Sequence, residues 1–141
     1  MGLFMGDVKY ACPEELVVAE GIEPKAKVPA PWKEKPKECF KNAALFALGS
    51  GDGFYTEGYY KSLIPIHHAW ITRPDGSIFD PTIDVDRDAD PANYLGIAFD
   101  TNWFRQYIDE GDGYPEVLIN RFGFFNEAAL RGELVKATLT A

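Results

Sequence analysis

The stretch from Ile66 to Asp80 constrains the fold more than any other part of this chain. Two runs rich in apolar, β-branched and aromatic residues, Ile66-His67-His68-Ala69-Trp70-Ile71-Thr72 and Ser77-Ile78-Phe79-Asp80, flank Arg73-Pro74-Asp75-Gly76. Proline suits the second position of a turn, and glycine takes the left-handed conformation that a three-residue hairpin loop needs. In that register Arg73 faces Ser77, Trp70 faces Asp80 and His68 faces Thr82. His68 and Asp80 then share one face as diagonal neighbours, about 7–8 Å apart at the backbone, within reach of each other's side chains. A two-residue loop would send them to opposite faces.

Other segments join this hairpin. From Glu38 to Leu48, Phe40, Ala43, Ala44 and Ala47 follow helical spacing, and Gly49-Ser50-Gly51-Asp52-Gly53 ends the helix. The aromatic run Phe54–Tyr60 reads as a strand. Pro13–Glu20 reads as a short helix with proline in its first turn, or as a strand. Pro24, Pro29, Pro31 and Pro36 punctuate a lysine-rich stretch that reads as an extended connector. Further on, Asp84, Asp86, Asp88 and Asp90 alternate through an acidic loop that ends at Pro91. A short helix is expected over 101–109 around Trp103, Phe104 and Tyr107, and a strand at Val117-Leu118-Ile119. A closing helix is expected over 126–136, capped by Asn126. The fold class expected is α+β.

A chain of 141 residues, 46% hydrophobic and 14% aromatic, is expected to form one domain with a real core. Its net charge of −8 argues against nucleic acid or an anionic membrane as a partner. No apolar run approaches the roughly 20 residues of a membrane span. Met1–Gly6 has no basic region ahead of an apolar core, so a secretion signal is not expected. Gly6 stands where a myristoylation signal has Ser or Thr. Cys12 and Cys39 make no disulfide framework, which points to a reducing, cytoplasmic setting with Cys39 free to react. No metal or cofactor is expected: CxxC, HExxH and phosphate-loop motifs are missing. Asp84-Val85-Asp86-Arg87-Asp88 begins like a calcium loop, yet Ala89 replaces the turn glycine and Leu95 the closing glutamate. Oligomeric state is not legible in the sequence.

Three residues in order carry the chemistry. Cys39 opens a helix, where the dipole favours a thiolate; its ordinary alternative is a small buried hydrophobe. His68 would be general base and then general acid, and it is preferred over His67 because it shares the face of Trp70 and Asp80. Asp80 would fix the imidazole tautomer, or else serve as a plain turn carboxylate before proline. For the oxyanion, the N–H of Cys39, Asn42, and Trp32 or Lys33 are candidate donors. Glu57 is either a buried acid near the site or a solvated edge residue.

These residues resemble the transglutaminase-like branch of the papain-like cysteine enzymes. The family carries a cysteine at a helix start, a strand with a Gly-Tyr pair, a His-Ala-Trp strand and an Asp-Pro-Thr strand end. Here these are Cys39, Gly58-Tyr59, His68-Ala69-Trp70 and Asp80-Pro81-Thr82. The chain is also similar to small phage proteins that share a Cys-x-x-Asn-Ala helix and a Glu-Gly-Tyr strand. The resemblance implies a nucleophile-bearing helix packed on an antiparallel sheet. It also implies thiol chemistry on an amide of a protein or peptide, as protease, deamidase or acyltransferase. It covers residues 37–82, leaving 83–141 as a lid or substrate wall. Papain-like enzymes place a glutamine before the nucleophile, where this chain has Trp32 and Lys33. The rival expectation is a phage-type binding or inhibitory protein that engages a host factor without catalysis, through aromatics such as Trp103, Phe124 and Phe125.

Overall fold

The computed structural model describes residues 8–28, 38–50, 52–61, 64–82, 91–111, 113–120 and 122–140. In chain order they form α1 (Pro13–Glu20), α2 (Cys39–Ser50), β1 (Phe54–Lys61), β2 (Pro65–Thr72) and β3 (Ile78–Phe79). A single 3-10 turn, Pro91–Asn93, then leads into β4 (Tyr94–Ala98), α3 (Thr101–Glu110) and α4 (Glu127–Leu130). The four strands make one antiparallel sheet in the order β3-β2-β1-β4. α2 packs on β1 and β2, α1 on β1 and β4, and α3 on β1 and α2. The class is α+β, with helices laid against an antiparallel sheet.

The hairpin has the register its turn chemistry demands. Ile71 pairs with Phe79 and Thr72 with Ile78. Arg73 N–H donates to the Ser77 carbonyl at 2.8 Å, and Gly76, at φ 91°, donates back to the Arg73 carbonyl at 2.9 Å. The Asp75 carboxylate accepts from the Ser77 N–H at 2.9 Å and its hydroxyl at 2.6 Å, closing the loop from within. β3 ends after two residues because Pro81 has no N–H to continue the ladder.

Strand parity divides the side chains. Tyr55, Glu57 and Tyr59 of β1 pair with Ile71, Ala69 and His67 of β2. This face meets the helices in the main core, where Leu16, Ala43, Phe46, Ala47, Phe79, Phe99 and Phe104 are buried. The opposite face carries His68, Trp70 and Thr72, with a second cluster of Tyr60, Trp70, Ile78 and Tyr94. His68, Gly58 and Gly96 lie in one row across β2, β1 and β4, so most of that row is bare backbone. A Cβ on Gly96 would sit 2.7 Å from the Trp70 ring, and one on Gly58 2.2 Å from the Leu95 carbonyl oxygen. The missing side chains let Trp70 lie down on the sheet and the strands close up.

Two expectations are corrected by the structure. Val117-Leu118-Ile119 is not a strand of the sheet: the Val117 and Leu118 N–H groups donate to the Glu57 carboxylate, and Ile119 only bridges Phe125. The closing helix is one turn, 127–130; Asn126 does cap it, accepting from Ala129 N–H at 3.2 Å, but Gly132 at φ 83° turns the chain away. The sheet also has a strand the sequence did not announce, β4, a short apolar run with Gly96 at its middle. Tyr94, Ile97, Phe99 and Phe104 are buried, so this part of 83–141 completes the core. Residues 29–37 of the expected connector and the acidic run 84–90 lie outside the described residues.

Two glycine substitutions separate close approach from helix propensity. Gly96→Ala drives a methyl into Trp70 and should cost about 1–3 kcal/mol. Gly49→Ala, in α2 with nothing within 4 Å of its Cβ position, should instead stabilise by about 0.5–1 kcal/mol. Denaturant midpoints of the two variants, moving in opposite directions from the parent, check both.

Candidate active site

Helix α2 begins beside the strand that carries His68. Because β3 stops at Phe79, the early part of β2 has no strand beyond it among the described residues, and the first turn of α2 occupies that side. Asn42 of that turn donates through Nδ2 to Thr82 Oγ1 at 3.1 Å, tying the helix to the segment just past Asp80. Phe40 places its ring 4.7 Å from that of His67. Cys39 is buried at the start of α2, close enough to His68 to act on its charge.

His68 in turn donates from Nε2 to Asp80 Oδ2 at 2.6 Å. With Nε2 engaged by the carboxylate, Nδ1 is the ring nitrogen left for the thiol. Asp80 is fixed from two further sides: the Tyr94 hydroxyl donates to Oδ2 at 2.8 Å, and the Thr82 N–H to Oδ1 at 2.9 Å. The Trp70 ring, 6.0 Å from that of His68 and inclined 28° to it, backs the imidazole. The expected His68–Asp80 contact across the hairpin is therefore present, and the helix that opens with Cys39 packs on the strand that carries His68.

Electrostatics follow from this geometry. Burial works against the imidazolium of His68, but the Asp80 carboxylate hydrogen-bonded to it, together with the nearby Cys39, outweighs that cost and raises the group from 6.5 to about 9. Burial works against the Asp80 carboxylate as well; hydrogen bonding and charge from His68, then Thr82 N–H and the Tyr94 hydroxyl, hold it below its ordinary value. A protonated His68 is thus favoured across neutral pH.

The other expected site residues fall in different places. Asn42 is buried, with its amide on Thr82. Trp70 is buried behind His68 and forms a wall. Trp32 and Lys33 lie outside the described residues. Glu57 is fully buried on the other face of the sheet, so the solvated-edge alternative does not hold. Its carboxylate accepts from Tyr55 Oη at 2.7 Å, His67 Nε2 at 2.6 Å, and Val117 and Leu118 N–H at 2.7 Å each. Sequence reasoning missed Tyr94. Its link to Asp80 depends on β4 pairing with β1, and no local motif encodes that crossover.

No protein-family model, curated protein or solved structure matches this chain. Among the described residues no group of three or more His, Cys, Asp or Glu side chains is arranged to hold a metal ion. No helix among them is long and apolar enough to cross a membrane.

The shifts at His68 and Asp80 fix the sign of a pH effect on folding. A raised His68 contributes stability that is complete below 6.5 and lost as pH rises through about 9. A lowered Asp80 contributes stability present above 3.8 and lost as pH falls. The melting temperature of the parent should therefore decline between about pH 7 and pH 9, and His68→Gln should flatten that decline. Long-range proton–nitrogen NMR of the imidazole should show His68 titrating near 9.

Proposed function

We propose that this protein is a cysteine-nucleophile enzyme acting on an amide bond of a protein or peptide, with Cys39 as nucleophile, His68 as base and Asp80 as its orienting partner. One observation carries the reading: a buried imidazole near the Cys39 thiol is hydrogen-bonded to a carboxylate that further donors fix. The order of nucleophile helix, histidine strand and aspartate strand end, on an antiparallel sheet, supports assignment to a papain-like or transglutaminase-like scaffold.

In this reading the Cys39 thiolate attacks the carbonyl carbon, forming a C–S bond and an oxyanion. The first-turn N–H groups of α2 have no acceptor within their own helix, and the N–H of Cys39 is the natural donor to that oxygen. His68, as imidazolium, gives its proton to the leaving amine as the C–N bond breaks, leaving a thioester. Neutral His68 then removes a proton from water, giving hydrolysis or deamidation, or from an incoming amine, giving transfer. Asp80 keeps the ring oriented and stabilises its charge throughout. A free thiol in this role suits a reducing compartment such as the cytoplasm.

A second reading, binding without catalysis, draws on the loop at 122–125. Phe122 is 72% exposed and Phe124 70% exposed, on a turn braced by the Asn120 side chain, which accepts from the N–H groups of both. Trp103 does not belong to this surface: it stacks between Phe99 and Tyr107.

Competitive alkylation tests the catalytic reading. With limiting iodoacetamide near pH 6.5, Cys39 should label roughly tenfold faster than Cys12, even though Cys39 is the more buried thiol. His68→Ala should remove that advantage and Asp80→Asn should reduce it. A Cys39 no more reactive than Cys12 would sink the proposal. Retention of biological activity by Cys39→Ala would favour the binding alternative.

A further inference from the structure

We propose that Tyr94 is a positioning residue for this site, acting through Asp80: its hydroxyl pins the carboxylate as a fixed acceptor for His68. The inference deepens the catalytic reading of Cys39, His68 and Asp80, and rests on it for its meaning though not for its test.

Asp80 and Tyr94 are each 1% exposed, so the bond between them is shielded from competing water. Oδ2 takes both the His68 Nε2–H at 2.6 Å and the Tyr94 hydroxyl at 2.8 Å, while Oδ1 takes the Thr82 N–H at 2.9 Å. These donors come from β2, from β4 and from the turn after β3. A carboxylate gripped from its own hairpin and the turn after it can still rotate about its terminal bond; a donor from across the sheet opposes that rotation. Tyr94 is itself fixed. Its ring lies 5.0 Å from that of Trp70 in an edge contact and 4.9 Å from that of Tyr60, with the Lys27 ammonium 5.0 Å from its centroid.

Topology explains why such a residue is needed. Asp80 lies past the end of β3, where Pro81 has cut the ladder, so backbone pairing no longer fixes it. Tyr94 starts from the far edge strand, and the side-chain-free row at Gly58 and Gly96 leaves the sheet face low enough for aromatic rings to lie across it. Among the described residues, the titratable groups around Asp80 are His68 from β2, Tyr94 from β4 and Tyr60 from β1. Cys39 of α2 acts through His68, and Lys27 lies over the Tyr94 ring.

The test is a carboxyl carbon-13 NMR titration of Asp80 in the intact chain, assigned with Asp80→Asn. Removing a donor from a carboxylate raises its proton affinity, so Tyr94→Phe should move the Asp80 midpoint up by about one pH unit. It should also slow Cys39 alkylation several-fold near neutral pH. Tyr59→Phe, which removes a hydroxyl that donates to the exposed Glu14 at 2.9 Å, should leave both unchanged. A folded Tyr94→Phe chain with the parent's Asp80 midpoint or the parent's alkylation rate overturns the proposal, as does an equal shift from Tyr59→Phe. If Tyr94→Phe does not fold, 3-fluorotyrosine at position 94 keeps the ring and strengthens the donor. The midpoint should then fall, and an unchanged midpoint overturns the proposal. The titration involves no reaction, so a sluggish Cys39 in the parent overturns the catalytic reading while the Tyr94 result still stands or falls by itself.

Discussion

The carboxylate of Glu57 is the interaction on which the architecture depends. It sits at the middle of a central strand with no exposed surface, where an unpartnered carboxylate would cost several kcal/mol. Both oxygens are instead doubly engaged: Oε1 by the Tyr55 hydroxyl and Val117 N–H, Oε2 by His67 and Leu118 N–H. One side chain thereby joins β1 to β2 and recruits a segment 60 residues further along the chain. That segment gives up ladder pairing to satisfy the acid, which is why an apolar triplet that reads as a strand is not one. Tyr107 closes the same corner, donating its hydroxyl to the Glu116 carbonyl at 2.8 Å.

Two adjacent histidines show how the sheet assigns work. His67 and His68 each hold a carboxylate at 2.6 Å, yet they point to opposite faces. On the helix side, His67 braces Glu57 beneath Phe40. On the other side, His68 holds Asp80. The same side chain braces a core acid in one residue and reaches the carboxylate past the hairpin in the next, and only strand parity separates them. β1 keeps that parity in place by pairing along the whole of β2, Phe54 with Thr72 through Lys61 with Pro65.

Local chemistry made part of this legible in the chain. Pro74-Asp75-Gly76 set the hairpin register, and with it the shared face of His68 and Asp80, because turn geometry is a short-range property. The alanine-rich spacing after Glu38 set the helix, and the Asn126 cap was equally readable. What escaped were contacts made by pairing distant segments. β4 is short and broken by Gly96, so its alternation is faint without a neighbour to pair with. Tyr94 gains meaning only once β4 lies beside β1. Whether Glu57 was a buried acid or a solvated edge residue stayed open because its partners at 117 and 118 are remote in sequence. The helix expected over 126–136 stopped early because Gly132 adopts a positive φ that no apolar pattern reports.

The row formed by Gly58 and Gly96 has a consequence for how this chain tolerates change. These residues contribute no functional group, and yet they set the depth at which Trp70 rests against the sheet, and Trp70 in turn backs the imidazole. Mutational tolerance should therefore not track chemical prominence: an added methyl group on a mute backbone position would disturb the imidazole's seat more than many exchanges among the exposed charges. In this fold, the alignment of the reactive groups is guarded by residues that have nothing to react with.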